Sequence, residues 1–418
     1  PNSANPSATV AIRPARTFQT AAVLPARARI TPDVSNGLVR FSLDQPRHLT
    51  LLLDNDDSRP LHLFIGEPET DAPREGDANV VYFGPGVHEI ETLELKNGQT
   101  VYLAGGAIVK AKLRPGEKGT YSDKWKVTFF GGTVLNVSKV SSVRICGRGI
   151  LDGSLVPHPG RNLIGVHESK DVRLEGIVLR DSPNWNVIMA KSQGVRVDDL
   201  RLISGRLNSD GINSVNSRDV QIRRCFVRNH DDSIVVKTTE PGPAAEDIQV
   251  EECQFWSDWG YSMGATYETR APIRRVSYRR CDVLFARHWC MGVHVSDSAT
   301  VSDISFADIE ISDLAGAPRM AGAYAALTPE PKLLQLVIVQ DVWGKDPERG
   351  RIRDVRLENV TIHGKRMLAS VISGLDTEHD VQGVTFKNVH LASQPPATNA
   401  AALRLESNAF VKDVRVGP

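Results

Sequence analysis

Apolar residues recur along most of this chain on one eight-position template, apolar-x-apolar-x-x-apolar-x-apolar. Copies begin at Val172 (VRLEGIVL), Val195 (VRVDDLRL), Val220 (VQIRRCFV), Ile248 (IQVEECQF), Val276 (VSYRRCDV), Ile304 (ISFADIEI), Val355 (VRLENVTI) and Val384 (VTFKNVHL). Successive starts lie 23, 25, 28, 28, 28, 51 and 29 residues apart. A period of two marks short strands with one face turned inward, and the polar or glycine pair at the centre of each copy turns the chain. A third apolar stretch follows in most copies: WNVIMA from Trp185, GINSV from Gly211, SIVVK from Ser233, YSMGA from Tyr261 and MGVHV from Met291. Three short strands per coil of 23 to 28 residues, with hardly any helix-length amphipathic pattern, predict an all-β chain wound as a right-handed parallel β-helix. The coils of such a solenoid stack at the inter-strand spacing of about 4.8 Å. The 51-residue interval predicts one further irregular coil, and Ser312 to Arg351 a loop or irregular coil beside the stack.

The first part of the chain is patterned differently. LVRFSL from Leu38, HLTLLL from His48 and LHLFIG from Leu61 alternate as strands between the turn-rich segments DNDDSRP and GEPETDAPREGD. We expect a small N-terminal β-sandwich over residues 1–76 and the β-helix over 77–418, with VVYFGPGVHEI, TVYLAGGAIVKAKL and VRICGRGILDG as its first coils.

Length and composition narrow the picture. At 418 residues the chain exceeds a single compact core, which a solenoid accommodates by adding coils. The 50 basic and 50 acidic residues cancel, so no electrostatic footprint for nucleic acid or an anionic membrane is present. No apolar run approaches a membrane span, and the start has no basic and apolar leader, which leaves a cytosolic protein or one whose signal peptide has been removed. Of the 5 Cys, Cys225, Cys253 and Cys281 share one template position and read as an internal ladder of small apolar side chains. No Cys or His cluster has metal-ligand spacing, so no metal or other cofactor is expected.

Acidic residues collect at one place in the repeat. Asp210, the pair Asp231 and Asp232, and Asp258 all fall just before the third strand of successive coils. Coils in register put Asp210 and the Asp231–Asp232 pair on one face, with Asn184 and Trp185 one coil before, Trp259 and Tyr261 one coil after, and His288 and His294 beyond. Glycoside hydrolysis needs one protonated carboxyl group and one ionised, and crowding raises the pKa of at least one of them. A spacing of one coil, about 5 Å plus lateral offset, does not choose between retaining and inverting geometry. The same Asp residues also suit Asx-turns at coil corners, a purely structural alternative. Arg223–Arg224, Arg274–Arg275 and Arg279–Arg280 read as solvated ladders paired with Glu251–Glu252.

In order and spacing, GRGILDGS (Gly147 to Ser154), DSPNWNV (Asp181 to Val187), NSDGIN (Asn208 to Asn213) and HDDSIVVK (His230 to Lys237) resemble the polygalacturonase family, glycoside hydrolase family 28. The resemblance covers most of 79 to about 310. It implies a right-handed parallel β-helix and single-displacement, inverting hydrolysis, with Asp231 as general acid and Asp210 and Asp232 holding and activating the water. The chain departs from the family where Gly-His-Gly is replaced by Asp258-Trp259-Gly260 and Arg-Ile-Lys by His294-Val295-Ser296. The second loss removes the pair that would grip a uronate carboxylate. YSMGATYETR, ending at Arg270, and the N-terminal sandwich look more like the dextranase and isopullulanase family 49, which handles neutral glucans.

The expectation is therefore a secreted or periplasmic glycoside hydrolase acting on a pectin-type or neutral polysaccharide or its oligosaccharides. Its catalytic residues would be Asp210, Asp231 and Asp232, and its substrate contacts Asn184, Trp185, Asn208, Lys237, Trp259, Tyr261, Arg270, His288 and His294. The rivals are a non-catalytic carbohydrate-binding β-helix and a calcium-dependent lyase or epimerase using Lys237 or Arg270 as base.

Overall fold

A computed structural model of the chain describes residues 8–124, 126–314 and 330–418. The template starts form one continuous row. Val172 pairs with Val195, Val195 with Val220, Val220 with Ile248 and Ile248 with Val276, always in parallel. The row runs on through Ile304, Val355, Val384 and Val414. Apolar template positions such as Val172, Leu174, Ile177 and Leu179 are fully buried, so the strands present one face to the inside of a right-handed β-helix. The fifth template position turns the corner in the left-handed backbone region in every copy, from Gly176, Asp199 and Arg224 to Asn359 and Asn388, with φ between 51° and 75°. An apolar β-branched residue would be strained there, which accounts for the polar or glycine pair at the template centre.

The third strands of the coils make a separate parallel sheet of 11 strands, from Leu93–Glu94 to Leu405–Ser407. Within it lie Ile212–Val215, Ile234–Thr238, Tyr261–Thr269, Trp289–Val295 and Lys332–Ile338. Two expectations are corrected here. Ile304 pairs directly with Val355, so the 51-residue interval holds no extra coil; it is one coil lengthened on both sides of its third strand. The stretch from Ser312 to Arg351, expected as a loop or irregular coil beside the stack, instead contributes Lys332–Ile338 as a paired strand within it; residues 315–329 of the stretch lie outside the described residues.

Cys225, Cys253 and Cys281 stack inside as free, fully buried thiols, with Cys253 Sγ 3.3 Å from the Glu251 carbonyl oxygen. The outer arginines are paired: Arg280 with Glu251 and Glu252, Arg275 with Glu246 and Asp247, and Arg224 with Asp198.

The N-terminal part forms two antiparallel sheets of three strands each. One holds Ala8–Ile12, Leu38–Leu43 and Asp33–Ser35, the other Ala21–Leu24, Arg47–Leu53 and Leu61–Ile65. Val23, Val39, Phe41, Leu43, Leu49 and Leu51 form their common apolar core. Leu24, Leu52 and Phe64 pack against Phe226, Trp256, Leu284 and Phe285 of the solenoid, and Arg27 reaches the buried Asp282.

Candidate active site

Asp210 lies in the turn before Ile212–Val215, and Asp231 and Asp232 in the turn before Ile234–Thr238. Ile212 pairs with Ile234, so the two turns stack. A buried asparagine braces each turn. Asn186 Nδ2 donates to the Ser209 and Asp210 carbonyls, and Asn229 Nδ2 to the Asp231 and Asp232 carbonyls. Each asparagine in turn accepts from a buried serine hydroxyl, Ser204 or Ser233. These satisfied networks add to the inter-coil backbone bonds from the Asn186 N–H to the Asp210 carbonyl and from the Gly211 N–H to the Asp232 carbonyl, both 2.8 Å, and so fix the two turns. Gly260, one coil on, has a φ of 74°, and a Cβ there would stand 2.7 Å from the Asp231 carbonyl carbon and the Asp232 nitrogen. Only glycine lets the third turn close this tightly over the acids.

One oxygen of each of Asp210, Asp231 and Asp232 lies within 4.8 Å of the others. Asp232, 1% exposed, is anchored at both oxygens: Oδ1 accepts the Tyr261 N–H at 3.0 Å, and Oδ2 accepts Thr266 Oγ1 at 2.8 Å and Lys237 Nζ at 3.2 Å. Asp210, 3% exposed, accepts Asn213 Nδ2 at 3.2 Å, with Lys237 Nζ at 4.0 Å. Asp231 accepts the Asp232 N–H at 2.9 Å and keeps part of its surface open. Burial, then the neighbouring Asp232 charge, push the Asp231 carboxyl up to about 7 against the pull of Lys237. Burial and Asp231 raise Asp210 well above the usual carboxylate range. Around neutrality the cluster therefore holds protons that isolated carboxylates would have lost.

Lys237 is the counter-ion. Its Nζ meets Asp232, Asp210 and, at 3.3 Å, Glu268, and sits 5.5 Å from the Trp185 ring centre and 5.3 Å from that of Tyr267. Burial alone would lower its pKa, but Glu268 and the aspartates outweigh this and raise it, so it remains an ammonium. Three carboxylate oxygens this close could also hold a divalent ion; in this arrangement the lysine supplies positive charge to two of the three.

The other expected contacts divide. Trp185 and Lys237 join the acids, and Asn184 donates to Asn162 one coil before, at 2.8 Å. Trp259 is half-buried, parallel to the His230 ring at 6.2 Å and edge-on to His288 at 4.0 Å. Tyr261 is fully buried, its ring against Trp289 and its hydroxyl donating to Gln335 at 2.6 Å, so its ring packs as wall and offers no open face. Asn208 is exposed at the turn corner with a φ of 55°. Arg270 is held by Asp346 at 2.8 Å. His288 accepts the Gly260 N–H at 3.4 Å, and burial, then Arg287, bring its pKa down to about 4. His294 Nε2 lies 2.7 Å from Asp341 Oδ2; burial would raise Asp341, but bonds from His294, Ser296 and the Trp343 N–H hold it at about 2. Asp258, for its part, is turned to Arg228 at 3.3 Å.

Sequence reasoning passed over Thr266, Tyr267, Glu268, Asn213, Asn229 and Asp341. The first three arise from one irregularity: Val236 pairs with Ala265 but Thr238 with Thr269, so the later strand carries two extra residues. That bulge carries Thr266 to Asp232 and Glu268 to Lys237, with Tyr267 at a φ of 60°. The signal was in YSMGATYETR, whose length exceeds the third strand of the preceding coils.

Comparison with known proteins agrees with this architecture. The sequence model of glycosyl hydrolases family 28 matches residues 86–407. An endo-polygalacturonase of Pectobacterium carotovorum subsp. carotovorum is 25% identical over 105 residues, 25% of this chain and 26% of that protein, so the matched stretch spans about a quarter of the relative's length. Among solved structures, the polygalacturonase from Erwinia carotovora ssp. carotovora superposes with a TM-score of 0.60 at 14% identity, over 79% of this chain and 86% of that one. Dex49A from Penicillium minioluteum superposes with a TM-score of 0.57 at 12% identity, over 94% of this chain and 78% of that one. The fold is shared with both, and the match to the family along most of its length shows that this chain belongs to glycosyl hydrolases family 28.

Proposed function

We propose that this chain hydrolyses glycosidic bonds in a polysaccharide or its oligosaccharides by single displacement, with inversion at the anomeric carbon. The observation that carries this reading is the division of labour among three converging carboxyl groups. Asp231 is the one left open to a substrate, and its carboxyl, raised to about 7, holds a proton near neutrality. It gives that proton to the glycosidic oxygen as the bond to the anomeric carbon breaks. A water held by Asp210 and Asp232 supplies its oxygen to the anomeric carbon and its proton to one of those carboxylates. Asp232 has both oxygens occupied by donors, which suits a fixed anionic anchor and not an attacking nucleophile. A polymeric substrate outside the cell goes with an exported protein; among the described residues no helix is long and apolar enough to cross a membrane.

One observation favours a second stereochemical reading. One oxygen from each of the three carboxyl groups lies within 4.8 Å of the others, a closest approach compatible with the roughly 5–5.5 Å between the carboxyl groups of a retaining pair. In that reading Asp210 would attack carbon directly. The lyase alternative loses its bases, since Lys237 is held as an ammonium and Arg270 is tied to Asp346. The test of hydrolysis is a reducing-end assay across pectic, rhamnogalacturonan, dextran, pullulan and fructan substrates with the wild type and Asp231→Asn. We expect release by the wild type alone; near wild-type turnover by the variant would contradict the assignment.

A further inference from the structure

A sugar carboxylate buried beside catalytic acids needs a cation or several hydrogen-bond donors of its own. At this site the positive charge is committed to the protein. The ammonium of Lys237 has three hydrogens. Asp232 at 3.2 Å and Glu268 at 3.3 Å each accept one, Asp210 at 4.0 Å forms an ion pair without a hydrogen bond, and the rings of Trp185 and Tyr267 flank the ammonium. With 3% of its surface exposed, this lysine has no free side to offer a ligand. Asp210, Asp231, Asp232 and Glu268 set four carboxyl groups against that single ammonium.

Cations on the adjoining coils are engaged as well. Arg206, on the coil of Asp210, makes two bonds of 2.9 Å to Asp181. Arg228 pairs with Asp258 at 3.3 Å, Lys191 with Glu240 at 2.6 Å and Arg270 with Asp346 at 2.8 Å. Arg287 has partners of its own. Lys332 stands three coils along the third-strand sheet from Ile234, through Met263, Met291 and Leu334. That is about 14 Å between backbones at the inter-strand spacing.

We propose that the sugar attacked at its anomeric carbon is neutral, a hexose or deoxyhexose without a carboxylate. The inference rests on the hydrolase reading above and narrows it. A uronate in this place would meet Asp232 and Glu268 already sharing one ammonium and, among the described residues, no unclaimed cation on the coils of the three acids, a demand that an uncharged ring does not make.

The test is the identity of the new reducing end. Wild-type protein is incubated with polygalacturonate, its carboxyl-reduced form of identical linkage, rhamnogalacturonan, dextran, pullulan and fructan, and the first product is reduced and analysed for its terminal sugar. The expected terminal sugar is neutral, with kcat/KM on the best neutral substrate at least about ten-fold above that on polygalacturonate. Glu268→Gln, which releases one hold on Lys237, is expected to narrow that ratio. Galacturonate at the new end, in a product that Asp231→Asn fails to form, would overturn the inference and leave the hydrolase reading standing. Release from none of the polymers would overturn the hydrolase reading, and the inference with it.

Discussion

Two sets of side chains meet on the coil that begins at Val220, one a column of cysteines and the other a cluster of acids, and their chemistry is opposite. Cys225, Cys253 and Cys281 repeat at one template position, fully buried, and ask nothing of their surroundings beyond apolar contact. Asp210, Asp231 and Asp232 also occupy stacked positions, but each carboxyl group is surrounded by residues that do not repeat. Asn213 serves Asp210, Thr266 and the Tyr261 N–H serve Asp232, and Lys237 with Glu268 spans the cluster. Stacking alone puts a side chain in a known place; the departures from the repeat give that place its charge and its proton.

The contrast can be broken most directly at Asp231. Replacing it with Asn keeps the shape and removes the proposed proton donor, so kcat is expected to fall by about 10³-fold, within the usual range for a lost general acid, with the thermal transition little changed. Next comes Lys237→Met. It keeps the length of the side chain but leaves Asp232 and Glu268 without their counter-ion, and denaturant unfolding should show a loss of about 3–5 kcal/mol. A pH series sharpens the same side of the comparison. Because the Asp231 carboxyl is raised to about 7 and acts when protonated, kcat should decline as pH rises through that value, by about ten-fold per unit once the group is ionised. The smallest effect belongs to the other column. Cys253→Ala removes one buried sulfur and should cost about 1 kcal/mol of stability, with kcat unchanged.

The solenoid was legible because its determinants are local. An apolar residue every second position and a polar or glycine corner are written into each copy, and the register of Val172 through Val384 follows from them. The three acids were legible for the same reason, as they sit at equivalent turns of neighbouring coils. The partners of Lys237 were hidden because they depend on a bulge of two residues between Ala265 and Thr269, which breaks the repeat that made everything else readable. The long interval before Val355 misled in the opposite direction: spacing alone cannot distinguish an added coil from an enlarged one, and only the direct pairing of Ile304 with Val355 does. Tyr261 was expected to face a sugar, but its place at the start of the third strand turns its ring onto Trp289.

In the proposed mechanism water, not a carboxylate, attacks the anomeric carbon beside a protonated Asp231. The most direct test is to follow the anomeric configuration of the first product by proton NMR, on whichever polysaccharide the wild type cleaves. An initial product of inverted configuration, absent with Asp231→Asn, is the expected result. A product that first appears with retained configuration would contradict the account and assign the attack to Asp210.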